Sequence, residues 1–580
     1  MDTLRTDSAT PRPAGSPERP WHRFYEDGVP TTVAYDERSV AGNLFASAAT
    51  VPDRAALIFE NSRLSYRQLD DSVRRFATSL AKLGVARGTR VAIYLPNLPQ
   101  TVIAYYAALA LGADVVMTNP QYVEREIVSQ WTDANVEVAV VADWLFEQKV
   151  RHVRGDLPVR HFVTTGIADF LRAPLRWLAG IKMRRAGMAA AVAPGPGIHD
   201  FRELLEAEPM ASFVEPDLDS VALLQYTGGT TGISKGAMLT HRNLACNVQQ
   251  TVAWFPSLLP GEEVWLACLP YFHIFGMTIA MNWPVRVGGT IVLMPNPRDV
   301  PKMIKLIAKH RVSVFPAVPA LFNAIVNHPA SKKADLTAVK GCFSGSAPLP
   351  VAILEAFEAL TGGKISEGFG LSETSPVTHC NPLRGKRKTG SIGIPIPDTD
   401  AKIVDTVTGE RELAVGDEGE LILKGPQVMA GYWKKPDETA LTLRDGWLFT
   451  GDLARMDEEG YFWICGRKKD LILASGYKIF PDEIDRVLMS HPKILEAATI
   501  GIPDPKRGET VKSFVVMKPG EVAAEEEILA FCREQLAAFK IPKQLEFRTE
   551  LPKSAMQKIL RRELKDEEMR KAAAAPPAPR

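Results

Sequence analysis

An apolar run, Val221-Ala222-Leu223-Leu224, leads within two residues into Thr227-Gly228-Gly229-Thr230-Thr231-Gly232-Ile233-Ser234-Lys235-Gly236. No other junction in the chain constrains its fold as tightly. The apolar run reads as a buried strand. Counting from Tyr226, five of the next eleven residues are glycine or serine and three are threonine. The backbone amides there are unobstructed and hydroxyl donors stand beside them. Successive bare amides form an anion-binding concavity, and Lys235 adds a movable point charge. Such a loop suits a polyphosphate, although no G-x-x-x-x-G-K-[ST] string occurs in the 580 residues. Nor does it open directly into a helix: Ala237-Met238-Leu239 predicts more strand, and Thr240 is the better helix N-cap.

Length and charge bound the rest. A chain of 580 residues exceeds one core, so two or more domains are expected. Lysine plus arginine number 69 against 68 acids, a net charge of +1 that gives no overall field for nucleic acid. The six cysteines are scattered without a C-x-x-C pair, which fits neither zinc nor a disulfide framework and suits a reducing, cytoplasmic setting. Four prolines and no apolar core among the first twenty residues predict a disordered lead and not a signal peptide. From Ala41 to about Val163, strands such as Arg90–Leu95 alternate with helical patterns such as Thr101–Leu111, which predicts βαβ units and a mostly parallel sheet. No stretch reads as a membrane-spanning segment. Residues Leu171 to Gly187 carry Arg172, Arg176, Lys182, Arg184 and Arg185, no acid, and apolar Leu175, Leu178 and Ile181 at helical spacing. Two readings stay open for them: a solvated connector, or peripheral contact with an anionic membrane.

Six further strings carry candidate chemistry. Pro270-Tyr271-Phe272-His273-Ile274-Phe275-Gly276 sets one histidine among aromatics, and Trp254 ends the helical run before it. Ser344-Gly345-Ser346-Ala347-Pro348 is a run of small residues that lets a flat base or an alkyl chain approach the backbone. In Glu367-Gly368-Phe369-Gly370-Leu371-Ser372-Glu373, two glycines flank an aromatic suited to stacking on a base, and Glu373 offers the hard oxygen that magnesium needs. Thr450-Gly451-Asp452 puts a short acid on a turn, able to accept both hydroxyls of a ribose. Gly466-Arg467-Lys468-Lys469-Asp470 is a charged junction, after which a small α/β domain with a glycine turn at Ser475-Gly476-Tyr477-Lys478 is expected. Leu551-Pro552-Lys553-Ser554-Ala555-Met556-Gln557-Lys558 lies near the end. No H-E-x-x-H string is present, and the G-x-S-x-G spacing occurs only at Gly232–Gly236, within the glycine-rich stretch itself and followed by a predicted strand where a nucleophile elbow needs a helix.

Taken in this order, the strings resemble those of the adenylate-forming superfamily of acyl-CoA synthetases, luciferases and peptide-synthetase adenylation domains. They look most like the bacterial long-chain fatty acid–CoA ligases. The resemblance covers about Ala41 to Leu564. It implies an α/β fold: a large N-terminal domain of α/β subdomains with parallel sheets plus a β-rich subdomain containing Ser391–Pro395 and Lys424–Trp433, then a small mobile C-terminal α/β domain. The expected boundaries are a disordered lead at 1–40, the large domain at 41–468, the mobile domain at 469–566 and a disordered tail at 567–580. The implied reaction joins a fatty acid to ATP, with Mg²⁺, to give an acyl-adenylate and pyrophosphate, after which CoA yields acyl-CoA and AMP. By resemblance, Thr227, Gly228, Gly229, Thr230, Thr231, Lys235, Gly345, Ala347, Glu367, Gly368, Phe369, Gly370, Ser372, Asp452 and Arg467 bind ATP or AMP. Lys558, Glu373 and Thr230 are catalytic, the last two as metal ligands. Lys469 is the hinge; His273, Trp254 and Gly276 line the acyl pocket; Ser475, Gly476 and Lys478 line the CoA route. Gln557 departs from the family, which usually has glycine before its lysine. The implied enzyme is cytoplasmic, a monomer or homodimer, without a nucleic-acid partner. The alternatives are a fatty acyl-AMP ligase, a CoA ligase for medium-chain or aryl acids, and a non-enzymatic acyl-binding protein at a membrane.

Overall fold

The computed structural model describes residues 19–227, 234–474, 477–504, 507–554 and 559–574. Packing divides the chain into two units, one comprising residues up to Asp400 with Lys424–Gly446, the other Ala401–Leu423 with Trp447 onward.

The first unit is built on two sheets. The eight-stranded sheet runs Gly431–Tyr432, Lys235–Thr240, Val221–Thr227, Asp114–Met117, Arg90–Tyr94, Val138–Ala142, His161–Thr165 and Ile198–Asp200 in spatial order. From Val221–Thr227 onward its pairings are parallel; the first two strands add antiparallel. The nine-stranded sheet has a parallel centre made of Lys364–Gly370, Gly341–Ser344, Val314–Ala317, Val264–Ala267, Thr290–Leu293 and Ala55–Phe59. Parallel strands need both faces covered, and the apolar residues supply the cover. Met303, Ile304 and Ile307 of the helix Val300–His310 pack with Phe322 and Phe357 of two further helices against Phe315 and Ile365 of the sheet. Fully burying each such side chain contributes about 1.5–3 kcal/mol.

The expected strand after the loop is present at Lys235–Thr240, and Thr240 caps the helix His241–Trp254 by accepting from the Asn243 amide. Two expectations are corrected. Residues from Arg19 to Val40 do not belong to a disordered lead: Trp21 is buried, the Tyr25 hydroxyl donates to the Pro395 carbonyl at 2.8 Å, and the Val33 amide donates to Asp398 at 2.8 Å. Gly431–Tyr432 does not join a β-rich subdomain, because it pairs antiparallel with Ala237 and Met238 beside the glycine-rich stretch.

In the second unit the strands Asp400–Val404, Gly419–Lys424, Trp447–Met456 and Phe462–Arg467 form one sheet. A second sheet sets Tyr477–Ile479, Ile472–Ala474, Gly508–Met517 and Ile494–Asp504 side by side, with Gln544–Arg548 parallel to Gly508–Met517. The helix Pro481–Ser490 packs on both sheets, so the junction at Lys469 lies inside this unit. The last helix, Arg561–Ala574, extends into the expected tail and buries Leu564 against Ile500 and Phe514.

Candidate active site

In an open parallel sheet the carboxyl ends of the strands form the ligand edge. Four of the sequence strings begin there: Thr227 ends one strand, Ala267 precedes the His273 string, Ser344 precedes Gly345 and Ala347, and Lys364–Gly370 runs into Ser372–Thr374.

The neck of the glycine-rich loop is well defined. Thr227 and Lys235 are cross-strand partners, and the Ser234 hydroxyl donates to the Thr227 carbonyl at 2.6 Å. Tyr226 donates its phenol proton to Asp133 at 2.5 Å, while a Cβ at Gly236 would press on the Tyr226 ring at 3.2 Å. Gly228, Gly229, Thr230 and Thr231 lie outside the described residues, as do Ser475, Gly476 and Lys558; the same holds for the side chain of Lys478.

Glu373 sits in a 3-10 turn, Ser372–Thr374, that packs on both strands of the loop neck. Its Oε1 accepts the Tyr432 phenol proton at 2.8 Å, and its carbonyl accepts the Met429 amide at 2.8 Å. Burial, and then the Glu373 carboxylate, push the Tyr432 phenol far above its ordinary range, so it stays a donor. Of two glycines upstream, Gly370 is sterically required, since a Cβ would lie 2.1 Å from the Pro376 carbonyl oxygen, and Gly368 is tight, with 3.1 Å to the His379 carbonyl oxygen. Glu367 is used structurally. Its carboxylate is buried and accepts from the Leu349 and Gly390 amides at 3.2 and 3.3 Å, and burial raises its pKa. Phe369 stands edge-on to the buried His379, with ring centres 6.1 Å apart.

His273 caps the short helix that follows it, its Nδ1 accepting from the Phe275 amide at 3.3 Å. Gly276 is locked in place, since a Cβ would lie 2.5 Å from the Pro270 carbonyl oxygen. The Phe275 ring reaches Gly345, where a Cβ would meet it at 3.3 Å, so the histidine string and the small-residue string are neighbours. Trp254 is buried and packs edge-on against Tyr25 at 4.9 Å, a core position that its size explains.

In the second unit Asp452 and Arg467 are cross-strand partners, joined by Arg467 Nε to Asp452 Oδ1 at 2.6 Å. Gly451 holds φ +70°, which places glycine between Thr450 and the acid. Lys469 is exposed in the 3-10 turn Lys468–Asp470. The residues around Lys558 are anchored on both sides: Lys553 bridges Ile559, the Leu560 amide donates to the Pro552 carbonyl at 2.8 Å, and Arg561 pairs with Asp485 at 2.5 Å. Sequence reasoning missed Asp133, Tyr432 and Arg561. The string Gly431-Tyr432-Trp433 was the visible signal for the second.

Two buried imidazoles make the first unit acid-sensitive. Burial depresses His379 to about 3 and His241 to about 4. In the unfolded chain each titrates near its ordinary value of about 6.5, so the unfolded state takes up protons first as pH falls. Their stabilisation is present above about pH 6.5 and is lost progressively below it, by about 2 kcal/mol for each group at about pH 5. The thermal midpoint is expected to fall between pH 7.5 and 5, and His379→Gln to flatten that fall.

Comparison with known proteins agrees with this layout. Residues 44–433 match the family model of AMP-binding enzymes, and residues 483–558 match the AMP-binding enzyme C-terminal domain. A long-chain-fatty-acid–CoA ligase of Bacillus subtilis is 43% identical over 95% of this chain and 98% of that protein. One of Yersinia pestis is 40% identical over 95% of this chain and 99% of that protein. The crystal structure of an anthranilate CoA ligase with anthranoyl-AMP, 26% identical, superimposes with a TM-score of 0.82 over 92% of this chain and 98% of the other. On the match of residues 44–433 to the family model and the identity along nearly the whole chain, the chain belongs to the AMP-binding enzymes.

Proposed function

We propose that the protein activates a long-chain fatty acid to its CoA thioester through an acyl-adenylate, releasing pyrophosphate and then AMP. The observation that carries the reading is the placement of Glu373 against the neck of the Thr227–Lys235 loop. That turn puts a hard carboxylate beside the two strands that flank the glycine-rich stretch, the second of which begins at Lys235. The names of the long-chain-fatty-acid–CoA ligases matched along nearly the whole chain support the substrate class.

The chemistry asks for charge neutralisation and positioning, and needs no side-chain nucleophile. The substrate carboxylate attacks the α-phosphorus of ATP, and pyrophosphate leaves. Lys235 and Lys558 supply positive charge toward the phosphates, Phe369 offers a face for adenine, and Asp452 accepts the ribose hydroxyls. Glu373 fits a magnesium ion: one carboxylate oxygen is held by Tyr432, and the other takes no hydrogen bond among the described residues. With Thr230 it would hold the ion, which when bound spreads the polyphosphate charge. His273 and Gly276 line the acyl side. Ser475, Gly476 and Lys478 line the CoA route, and Lys469 is the hinge for the second half-reaction. A panel of acids from eight to eighteen carbons with aryl acids beside them, read by AMP release, tests the substrate class. Highest kcat/KM for the longest acids is expected; preference for aryl acids would overturn it.

A second reading, contact with an anionic membrane surface, has its own support. The helix Leu175–Arg185 buries none of its side chains, and Trp177, Leu178 and Ile181 are 71%, 53% and 40% exposed among basic neighbours. An apolar trio ringed by bases fits the headgroup region of a bilayer. Each base near such a surface contributes about 1 kcal/mol, screened by salt. Replacing Arg172, Arg176, Lys182, Arg184 and Arg185 with glutamine is expected to abolish co-sedimentation with anionic vesicles and leave activity on detergent-dispersed acid unchanged. Absence of vesicle binding by the parent protein at low salt would end the idea.

A further inference from the structure

Lys235, the lysine of the phosphate loop, is already paired in this structure. Its Nζ forms an ion pair with Glu438 and lies 5.4 Å from the centre of the Tyr432 ring. Both charged side chains are partly covered, at 24% and 34% exposure. The Tyr432 hydroxyl, on the far edge of the same ring, donates to Glu373. One phenol therefore touches the loop lysine with its face and the carboxylate of the turn with its proton.

Glu438 is brought there by a specific local structure. Gly431 and Tyr432 pair with Met238 and Ala237, extending the strand that Lys235 begins. The short helix Pro436–Thr442 then folds back across that edge. Its Thr439 hydroxyl accepts from the Tyr432 amide at 2.9 Å and donates to the Lys435 carbonyl at 2.8 Å. Gly431 is the contact point, with φ +142°, where a Cβ would lie 2.7 Å from the Thr439 methyl. The third residue of the helix, Glu438, consequently faces Lys235.

We propose that Glu438 is a positioning residue that acts as an internal stand-in for substrate phosphate. It holds Lys235 beside Tyr432, and it competes with polyphosphate for the same ammonium group. No bond is made or broken: Lys235 exchanges one anionic partner for another as ATP enters. The exchange reverses when pyrophosphate leaves, so Glu438 lowers affinity for both and assists release of the product. Paired charges of opposite sign recover part of their desolvation cost, and an ammonium group left without a partner binds an incoming anion more tightly. The inference rests on the reading of ATP as substrate.

Binding of inorganic pyrophosphate and of ATP, measured by calorimetry without acid or CoA, tests it. Glu438→Gln is expected to tighten both by about 3- to 5-fold, the scale of one partly exposed ion pair. Glu438→Ala is expected to do the same, and Glu438→Asp to restore part of the parent value. Lys235→Ala should weaken both, and adding Glu438→Gln to it should change nothing further, since Glu438 acts only through Lys235. The gain from Glu438→Gln should shrink as sodium chloride rises to about 0.5 M. Unchanged or weaker binding by folded Glu438→Gln and Glu438→Ala proteins would overturn the proposal, as would a gain that persists without Lys235. Failure of the parent protein to bind ATP at all would instead remove the substrate reading beneath it.

Discussion

Lys558→Ala is expected to slow acyl-adenylate formation by about 100-fold or more while leaving thioester formation from supplied acyl-adenylate near the parent rate. Charge grows on the phosphate oxygens as pyrophosphate departs, and loss of one donor aimed at such charge costs a factor of this size. The described residues on either side of Lys558 are well anchored. Before it, Lys553 pairs with Glu496 and bridges Ile559. After it, Arg561 is held by Asp482 and Asp485. Removing the lysine therefore leaves its supports in place, and the loss reports chemistry and not unfolding. Measuring the two half-reactions separately decides the matter. Parent-like adenylation in the variant would show that another group neutralises the charge.

Asp452→Ala is expected to reduce kcat/KM for ATP by a comparable factor and to lower stability as well. Asp452 is 2% exposed and paired to Arg467. Truncation removes the proposed acceptor for the ribose hydroxyls and deprives the guanidinium of its carboxylate, a loss of about 2 kcal/mol for a charged hydrogen bond. Asp452→Asn keeps the shape and one acceptor oxygen, so it separates the two effects. Its thermal midpoint should fall less than that of the alanine variant, while its KM for ATP stays raised. An unchanged KM for ATP in both variants would remove Asp452 from the nucleotide site.

The strand Val221–Thr227, the continuing strand Lys235–Thr240 and the cap at Thr240 were legible because each depends on local signals: an apolar run, the apolar continuation Ala237-Met238-Leu239, and a capping threonine. What the residues did not reveal depends on distant partners. Gly431–Tyr432 reads as an isolated pair of strand residues, and only the antiparallel pairing with Met238 and Ala237 assigns it to the sheet of the phosphate loop. Glu438 and Lys235 are some two hundred residues apart, so no periodicity could have linked them. Trp21 illustrates the same point in a proline-rich stretch, where composition argued for disorder and tertiary contact with the first unit prevailed. The parallel sheet followed from alternation of strands and helices and the wider architecture from the family resemblance, whereas the supports of the site come from long-range contacts.

ATP–pyrophosphate exchange with palmitate, run first without CoA and then followed by thioester analysis after CoA is added, bears most directly on the two-step activation. Label is expected to enter ATP in the absence of CoA only when the acid is present, and addition of CoA should convert the bound intermediate to palmitoyl-CoA with release of AMP. Exchange without any thioester would make the protein an acyl-AMP ligase. Thioester formation with no acid-dependent exchange would contradict an adenylate intermediate outright.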